Sequence, residues 1–327
     1  MINLYIFIVV FNLILFLNLN LISKFLNLYD LPNKARKIHK IKTPIVGGTF
    51  LILNLIFFWL LNFYFNIYTF NISPLLIYSF LIFLISVVDD KFDISANIKF
   101  LLIGIVVLIF FLLNQDLLIK KVVFNFYYLH IENSLMSLFF SWLCIMLFLN
   151  ALNLYDGING QVGIYSIFIF SFFYFNNIFA DLLLGFFIPL IFFLVYNLRG
   201  KLFLGDSGSF LLGFIISFII ISNNQANTFL NAEVIFLLMF LPGIDMLRLF
   251  FERIINKKNP FNADSFHLHH LMMKKFSVKF ICLSNIIFYL FLILFMNYIS
   301  NIYFIILLIF LYFLLIYKFL EHKIIRK

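Results

Sequence analysis

The sequence predicts an all-α polytopic membrane protein, and three observations support this fold class. Of the 327 residues, 65% are hydrophobic and only 11% are charged, so the chain cannot present a water-soluble surface. Apolar stretches of about 20 residues, the length of a helix that crosses a bilayer, recur along the whole chain. No long polar segment separates them. We therefore expect one integral-membrane domain over residues 1–327.

The apolar stretches predict eleven membrane-spanning helices, with ten as the alternative count. The first stretch is long enough to span and no small-residue cleavage site follows it, so we interpret it as a helix rather than a cleaved signal peptide. Two spans are short, and each of these adjoins an acidic motif. The predicted spans cover residues 2–22, 45–66, 73–88, 98–114, 134–152, 161–178, 180–197, 209–222, 229–247, 280–297 and 302–319.

The basic residues predict the orientation of the chain. Under this assignment of spans, Lys120 and Lys121 fall on one side, and the other twenty-one Lys and Arg residues fall on the opposite side. Because positive charge is enriched in cytoplasmic loops, the N-terminus is placed outside and the C-terminus in the cytoplasm. The net charge of +9 is then explained by topology and by attraction to anionic lipid head groups. We do not expect nucleic-acid binding.

The acidic residues of four loops fall on the cytoplasmic face under the same assignment. Carboxylates at the ends of membrane helices are costly to desolvate and indicate a functional role by default. The first pair taken alone, in "FLISVVDDKFDI", is also consistent with a solvated helix end. The aspartates of these loops are Asp89, Asp90, Asp93, Asp156, Asp206, Asp245 and Asp264.

Two of these loops have the composition of anion-binding turns. In "NALNLYDGINGQVG", glycines bracket residues 158–159 and allow backbone N–H groups to approach an anion, although an ordinary interhelical turn has the same composition. In "YNLRGKLFLGDSGSFLLG", small residues after Asp206 open the next helix, and a helix N-terminus is a natural phosphate seat. Arg199 and Lys201 lie just upstream, where they could neutralise phosphates or anchor the chain at the interface.

The longest cytoplasmic loop ends in "HLHH", which places His267, His269 and His270 within four residues. A transition-metal site is one interpretation. We do not favour it, because this spacing does not present three ligands to one ion from a helix. We expect the histidines to contact a diphosphate or a sugar. Cys144 and Cys282 lack paired spacing and are expected to be buried small hydrophobes.

Phosphoryl transfer is the chemistry that needs this mixture of groups on one membrane face. Carboxylates hold Mg²⁺, a hard ion that reaches its substrate through phosphate oxygens. Cations and N–H donors stabilise the charge that develops on the phosphates. Sulfur ligands are not required for this chemistry.

Five ordered motifs carry a resemblance to a known family. They run from "PNKARKIHKIKTPIVGG" (residues 32–48) through "VDDKFDI", "NALNLYDGINGQ" and "FLGDSGS" to "PFNADSFHLHH". The chain resembles the bacterial polyprenyl-phosphate N-acetylhexosamine-1-phosphate transferases of glycosyltransferase family 4, which include phospho-MurNAc-pentapeptide translocase. The form of the last motif is similar to that of the N-acetylglucosaminyl branch.

The resemblance implies a reaction and a location. A polyprenyl (undecaprenyl) phosphate would attack the β-phosphorus of a UDP-sugar and give polyprenyl-diphospho-sugar and UMP, with Mg²⁺ as the cofactor and Mn²⁺ as a substitute. UDP-GlcNAc is the first expectation; UDP-GalNAc, UDP-QuiNAc, UDP-FucNAc and UDP-MurNAc-pentapeptide are the alternatives. The enzyme would lie in the bacterial inner membrane, where a homodimer is possible, and would begin a cell-envelope glycan such as the lipopolysaccharide O-antigen.

The resemblance also implies roles for single residues. Asp206 and Asn153 would be centred on Mg²⁺, and Asp89 would assist the lipid phosphate with Asp90 in support. Two positions depart from the family pattern: Asn159 stands where many bacterial relatives carry aspartate, and Ser265 stands where relatives often carry arginine. The residues expected to bind substrate are Lys42, Asn150, Asp156, Asn159, Lys201, Asp264, His267, His269 and His270.

Two other classes of protein share part of this pattern. A secondary transporter is also polytopic, but its polar residues should cluster near the bilayer midplane on broken helices. A lipid-binding scaffold would show basic loops, but it would not need Asp89, Asp90, Asn153 and Asp206 together. Release of UMP from UDP-GlcNAc in the presence of polyprenyl phosphate and Mg²⁺ would separate the enzyme from both.

Overall fold

A computed structural model describes residues 2–31, 42–67, 71–225, 230–257, 266–299 and 302–324. These residues form α-helices and two small antiparallel sheets, in which β1 pairs with β2 and β3 with β4. In chain order the elements are α1 Ile2–Leu17, α2 Leu19–Leu26, β1 Tyr29–Asp30, β2 Thr43–Pro44, α3 Gly47–Phe65, α4 Ser73–Phe92, α5 Ala96–Leu113, β3 Lys121–Val123, β4 Tyr128–His130, α6 Ser134–Tyr155, α7 Gln161–Phe175, α8 Ala180–Leu198, α9 Gly205–Gln225, α10 Ala232–Leu238, α11 Phe240–Ile255, α12 Leu268–Met273, α13 Val278–Ile299 and α14 Ile302–Ile324.

The prediction of an all-α polytopic membrane protein is confirmed. Among the described residues, seven helices are long and apolar enough to cross a membrane, and the number rises to nine if each of two bent pairs is one span. The pairs are α1–α2, bent by 59°, and α10–α11, bent by 83°. The count of eleven is not reached, because α7 has only 15 residues and α4 is not among the seven. That count and the orientation of the chain stay predictions.

Helix α9 is the central helix of the bundle. It packs against α3, α4 and α6. Of its apolar membrane-spanning stretch, 83% is buried inside the protein, against 22% to 50% for the other six candidate spans. Asp206 lies in its first turn. A helix that is apolar on all sides is held by packing around its whole circumference, so the core of the protein fixes the position of this aspartate.

The "TPIVGG" motif braces the start of α9. Phe203 N–H donates to Pro44 O at 2.9 Å, and the N–H groups of Gly47 and Gly48 donate to Phe203 O and Leu204 O at 3.0 and 3.1 Å. The first turn of α3 therefore uses its otherwise unpaired N–H groups to hold the residues just before Asp206. Close approach of the two backbones explains the glycines, since a Cβ on Gly48 would lie 2.4 Å from Ser207 Oγ and 2.5 Å from Gly208 N.

Replacing Gly48 by alanine is expected to destabilise the protein. The added methyl group meets backbone as well as a side chain, so α3 and α9 must separate, and overpacking of this kind costs about 1–3 kcal/mol. Gly185→Ala is the matched control, because its Cβ would meet side-chain atoms only, at 3.5 Å or more. Thermal unfolding in detergent should show a lower Tm for Gly48→Ala alone. Equal Tm values for the two variants would show that α3 and α9 are not closely packed at Gly48.

Candidate active site

Lys99 joins two of the predicted aspartates. Its Nζ lies 2.7 Å from Asp89 Oδ2 and also forms an ion pair with Asp206 Oδ2. The Lys99 side chain is 14% exposed, so water screens these pairs only weakly. Lys99 was absent from the residues predicted to form the site. Its only sequence signal is a cation in the first turn of α5, which follows the "VDDKFDI" motif and packs against α4.

Asp90 caps the N-terminus of α9. Its carboxylate accepts hydrogen bonds from Asp206 N–H at 2.8 Å and from Ser207 N–H at 3.1 Å. Two N–H groups without helical partners are thereby satisfied. Gly205, with φ of +75°, is required at this point, because a Cβ there would lie 2.7 Å from Asp90 Oδ2. Asp90 therefore holds Asp206 in place through the backbone.

Both carboxylate oxygens of Asp89 have partners. Oδ1 accepts from Ile94 N–H at 2.8 Å, which closes the turn that ends α4, and Oδ2 faces Lys99. Only 8% of Asp89 is exposed. The sequence-based role for Asp89, assistance to a lipid phosphate, stays a prediction.

Asn153 and Asp206 offer oxygen ligands for a magnesium ion. Asn153 lies in the last turn of α6, and its amide N–H group donates to Ser209 Oγ at 3.0 Å in the first turn of α9. This bond leaves the Asn153 amide oxygen available. An amide oxygen and a carboxylate fit Mg²⁺, which binds through one or two protein oxygens together with water and substrate phosphates. Across the described ranges, no group of three or more His, Cys, Asp or Glu side chains could hold a metal ion.

The glycine turn at residues 156–160 is tied to the loop that precedes Asp206. Asn197, in the last turn of α8, accepts a hydrogen bond from Gly160 N–H and donates to Leu202 O at 2.8 Å. A Cβ on Gly200 would lie 3.6 Å from Asn159 Nδ2, so Asn159 lies beside this loop. Asn197 is a second residue that sequence reasoning missed, because an asparagine at the end of an apolar span carries no distinctive signal.

Asp156 is electrostatically linked to the aspartates at the start of α9. Burial and, to a smaller extent, the negative charges of Asp206 and Asp90 together raise its pKa to about 8. The carboxyl group is therefore neutral at neutral pH in the protein without bound cations. A cationic or hydrogen-bonding substrate would change this balance.

The raised pKa of Asp156 predicts how stability depends on pH. The unfolded carboxyl loses its proton near its ordinary value of 3.8, whereas the folded one keeps it up to about 8. The stabilisation is thus fully present below pH 3.8 and is lost as pH rises towards 8. In EDTA, the Tm of the wild type relative to Asp156→Asn should fall from pH 4 to pH 8. A difference that stays constant over this pH range would contradict the prediction.

The histidine segment packs against the same glycine turn. A Cβ on Gly157 would lie 1.8 Å from His269 Nε2. His269 is 2% exposed, and neither ring nitrogen has a hydrogen-bond partner within the described part of the chain. Burial, together with the neighbouring His270 and His267, lowers the pKa of His269 to about 3. A neutral imidazole with both nitrogens unpaired is costly to bury and is available to a ligand.

The other predicted site residues are less closely joined to this cluster. Lys42 is exposed, and its Nζ lies 3.9 Å from the ring centroid of Tyr29. Lys201 is exposed at the turn after α8. Asn150 donates to Met146 O at 2.7 Å, one helical turn before Asn153. Asp264 lies outside the described residues.

Comparison with known proteins shows which family the chain resembles. The family model for glycosyl transferase family 4 matches residues 72–224. The chain is 27% identical over 272 residues to the undecaprenyl-phosphate alpha-N-acetylglucosaminyl 1-phosphate transferase of Escherichia coli strain K12, covering 77% of this chain and 71% of that protein. The protein of the same name in Thermotoga maritima is 29% identical over 264 residues, covering 79% and 77%.

A third relative, from Bacillus subtilis, is described as a probable undecaprenyl-phosphate N-acetylglucosaminyl 1-phosphate transferase. It is 26% identical over 248 residues, covering 73% of this chain and 68% of the relative. The matched region contains the acidic end of α4, the glycine turn and the start of α9, which the fold brings together. Over residues 72–224 the chain is therefore similar to glycosyl transferase family 4, and it is a transferase with α-helical membrane spans.

Proposed function

We propose that the protein transfers an N-acetylhexosamine-1-phosphate, first of all GlcNAc-1-phosphate, from a UDP-sugar to polyprenyl phosphate. The observation that carries the proposal is the Asp89–Lys99–Asp206 bridge at the start of the most buried helix. A cation held between carboxylates, one of which would bind Mg²⁺, suits a diphosphate group. The names of the curated relatives support the same choice of acceptor lipid and sugar.

The bond changes need no removal of a proton from the lipid phosphate. An oxygen of the lipid phosphate forms a bond to the β-phosphorus of the UDP-sugar, and the bond from that phosphorus to the bridging oxygen breaks. UMP leaves with the bridging oxygen and its electron pair. Because a phosphate monoester is already ionised at neutral pH, the contribution expected of Asp89 is to position groups rather than to remove a proton.

Each part of the cluster then has a task. Asp206 and Asn153 would hold Mg²⁺, which when bound would neutralise charge on the phosphates. Lys99 supplies a fixed positive charge beside that position, and Asp90 keeps the start of α9 aligned. Asp156 and Asn159, in the glycine turn, would face the nucleoside.

The remaining predicted residues would contact the outer parts of the substrates. Unpaired nitrogens of His269 could bind a sugar hydroxyl or acetamide group, with His267, His270 and Asp264 on the same segment. Lys42 and Lys201 are free to move towards phosphates because both are exposed. Asn150 lies one turn behind Asn153 and would support it.

The position of the polar cluster disfavours a transporter. Asp89 and Asn153 lie in the last turns of α4 and α6, and Asp206 lies in the first turn of α9. The site is thus built from helix ends, whereas a transporter site is expected near the bilayer midplane.

A panel of donors tests the proposal and its sugar. The purified protein, with polyprenyl phosphate and Mg²⁺ in detergent, should release UMP fastest from UDP-GlcNAc. UDP-GalNAc, UDP-QuiNAc, UDP-FucNAc and UDP-MurNAc-pentapeptide are the competitors. Faster release from one of these would replace the sugar and keep the reaction. No UMP from any donor would refute the proposed function.

The proposed place of action is the cytoplasmic face of a bacterial inner membrane. Single cysteines at positions 116 or 132 should react with an impermeant reagent from outside the cell. A cysteine at position 257 should react only after permeabilisation. The reverse pattern would place the active site on the wrong side for a cytoplasmic UDP-sugar.

A further inference from the structure

The histidine segment is fastened to α11 by two charged residues. Arg248 Nη2 donates to Phe266 O at 2.7 Å. Asp245 Oδ2 lies 2.8 Å from His267 Nδ1, and Leu268 N–H donates to the same carboxylate at 3.1 and 3.2 Å. Three consecutive residues of the segment are therefore held by one helical face.

Helix α14 completes the surroundings of Asp245. Tyr312 O–H donates to Asp245 Oδ1 at 2.6 Å and accepts from Arg248 Nε at 3.0 Å. Arg248 Nη2 donates to Asp245 Oδ1 at 2.9 Å. Asp245 is only 4% exposed, so this set of donors compensates the desolvation of its charge.

The contacts of Asp245 determine which His267 nitrogen carries the proton. Asp245 pairs with the Arg248 guanidinium and accepts hydrogen bonds from Tyr312 and Leu268, so its carboxylate acts only as an acceptor. His267 Nδ1 must then be the donor, which makes Nε2 the remaining ring nitrogen. The ring of His267 is nearly parallel to that of His269, with an angle of 7° between the ring planes and 5.5 Å between the centroids. His269 in turn adjoins the glycine turn.

We propose that Asp245 is a positioning residue for the transfer reaction: it holds His267 in the Nδ1–H tautomer and presents Nε2 to the bound UDP-sugar. The proposal rests on the proposed function and extends it to a residue that touches no substrate. An aspartate that orients a ligand-binding histidine through its other nitrogen is a general device. The alternative is that Asp245 only anchors α11 to α14.

A double-mutant cycle separates these two roles. Asp245→Asn should lower kcat/KM for the UDP-sugar by about 10- to 100-fold, the usual effect of losing such an orienting partner. Combined with His267→Ala, it should cause little further loss, because Asp245 acts through His267. A full additional loss in the double mutant would overturn the proposal. Glu252→Gln is the matched control, since Glu252 also pairs with Arg248 but has a 43% exposed side chain; it should stay close to wild type.

The tautomer can be measured without any activity. The chain has six histidines, so nitrogen NMR of histidine-labelled protein in detergent can identify the His267 signals by their loss in His267→Gln. Wild type without substrates should show Nδ1–H at His267, and Asp245→Asn should lose this preference. Nε2–H at His267 in the wild type would overturn the proposal.

Two further results test the proposal if Asp245→Asn does not fold or if the proposed reaction is wrong. If Asp245→Asn does not fold, Tyr312→Phe removes a donor to Oδ1 and leaves the Oδ2–His267 bond, so the Nδ1–H tautomer should persist; its loss would count against the proposal. The expected tautomer together with no UMP release from any donor would refute the proposed function and leave the assignment of the Asp245–His267 pair intact.

Discussion

Asp206→Asn is expected to lower kcat by about 100- to 1,000-fold, the loss that follows removal of one preorganised electrostatic group from an active site. The carboxylate pairs with Lys99 and is the charged ligand proposed for Mg²⁺. An amide can still accept a hydrogen bond from Lys99, and Asp90 still caps α9. Tm in detergent should therefore change little, so the effect would be on turnover.

Asp181→Asn is the matched control for this variant. Asp181 also lies in the first turn of a membrane helix, α8, but it is not part of the site. Its activity should equal that of the wild type. If Asp206→Asn kept more than about a tenth of wild-type activity, a loss below the usual contribution of a catalytic group, Asp206 would not be the centre of the site. Activity removed by EDTA should return with Mg²⁺ or Mn²⁺.

Lys99→Met is expected to lower kcat/KM by about 100-fold or more. The change removes the positive charge shared by Asp89 and Asp206 while keeping the apolar stem. It also leaves the buried Asp89 unpaired, which lowers stability. Lys91→Met, at the exposed end of α4, is the control and should stay close to wild type.

A second substitution separates the effect of Lys99 on activity from its effect on stability. Asp89→Asn in the Lys99→Met background removes the unpaired charge, so Tm should recover. Activity should not recover, because no cation is restored and the Asp89 carboxylate is lost as well. A double mutant that regained both would show that Lys99 is needed only for folding. Lys99→Met with activity within about threefold of the wild type, far below the loss expected for an electrostatic catalyst, would exclude Lys99 from the site.

Local hydrophobicity was sufficient to predict most helices but not their bends. The predicted span 134–152 lies within α6, Ser134–Tyr155, and span 302–319 lies within α14, because a bilayer requires long apolar segments. The apolar run 229–247 instead contains the 83° bend between α10 and α11. The pairing of Asn12 with Asn54 across α1 and α3, at 2.9 and 3.2 Å, also depends on packing that no local pattern shows.

The same contrast holds for the site: the sequence indicated several of its residues but not their contacts. Asp89, Asp90 and Asp206 could be selected because charged residues at membrane helix ends are unusual. The cap that Asp90 forms on α9 joins residues 116 apart in the chain, so its role required the fold. Lys99 could not be predicted, because a lysine in the first turn of a membrane helix is usually an interfacial anchor. Only the packing of α5 against α4 turns it towards the aspartates.

The most direct test of the account is to follow the β-phosphorus of the donor. The protein would be incubated with UDP-GlcNAc labelled at that phosphorus, polyprenyl phosphate and Mg²⁺. Sugar-phosphate transfer predicts that the label enters the lipid and that one UMP appears for each labelled lipid. If UDP appeared instead and the label stayed in the nucleotide, the sugar would be moving without its phosphate, and the proposed reaction would be wrong.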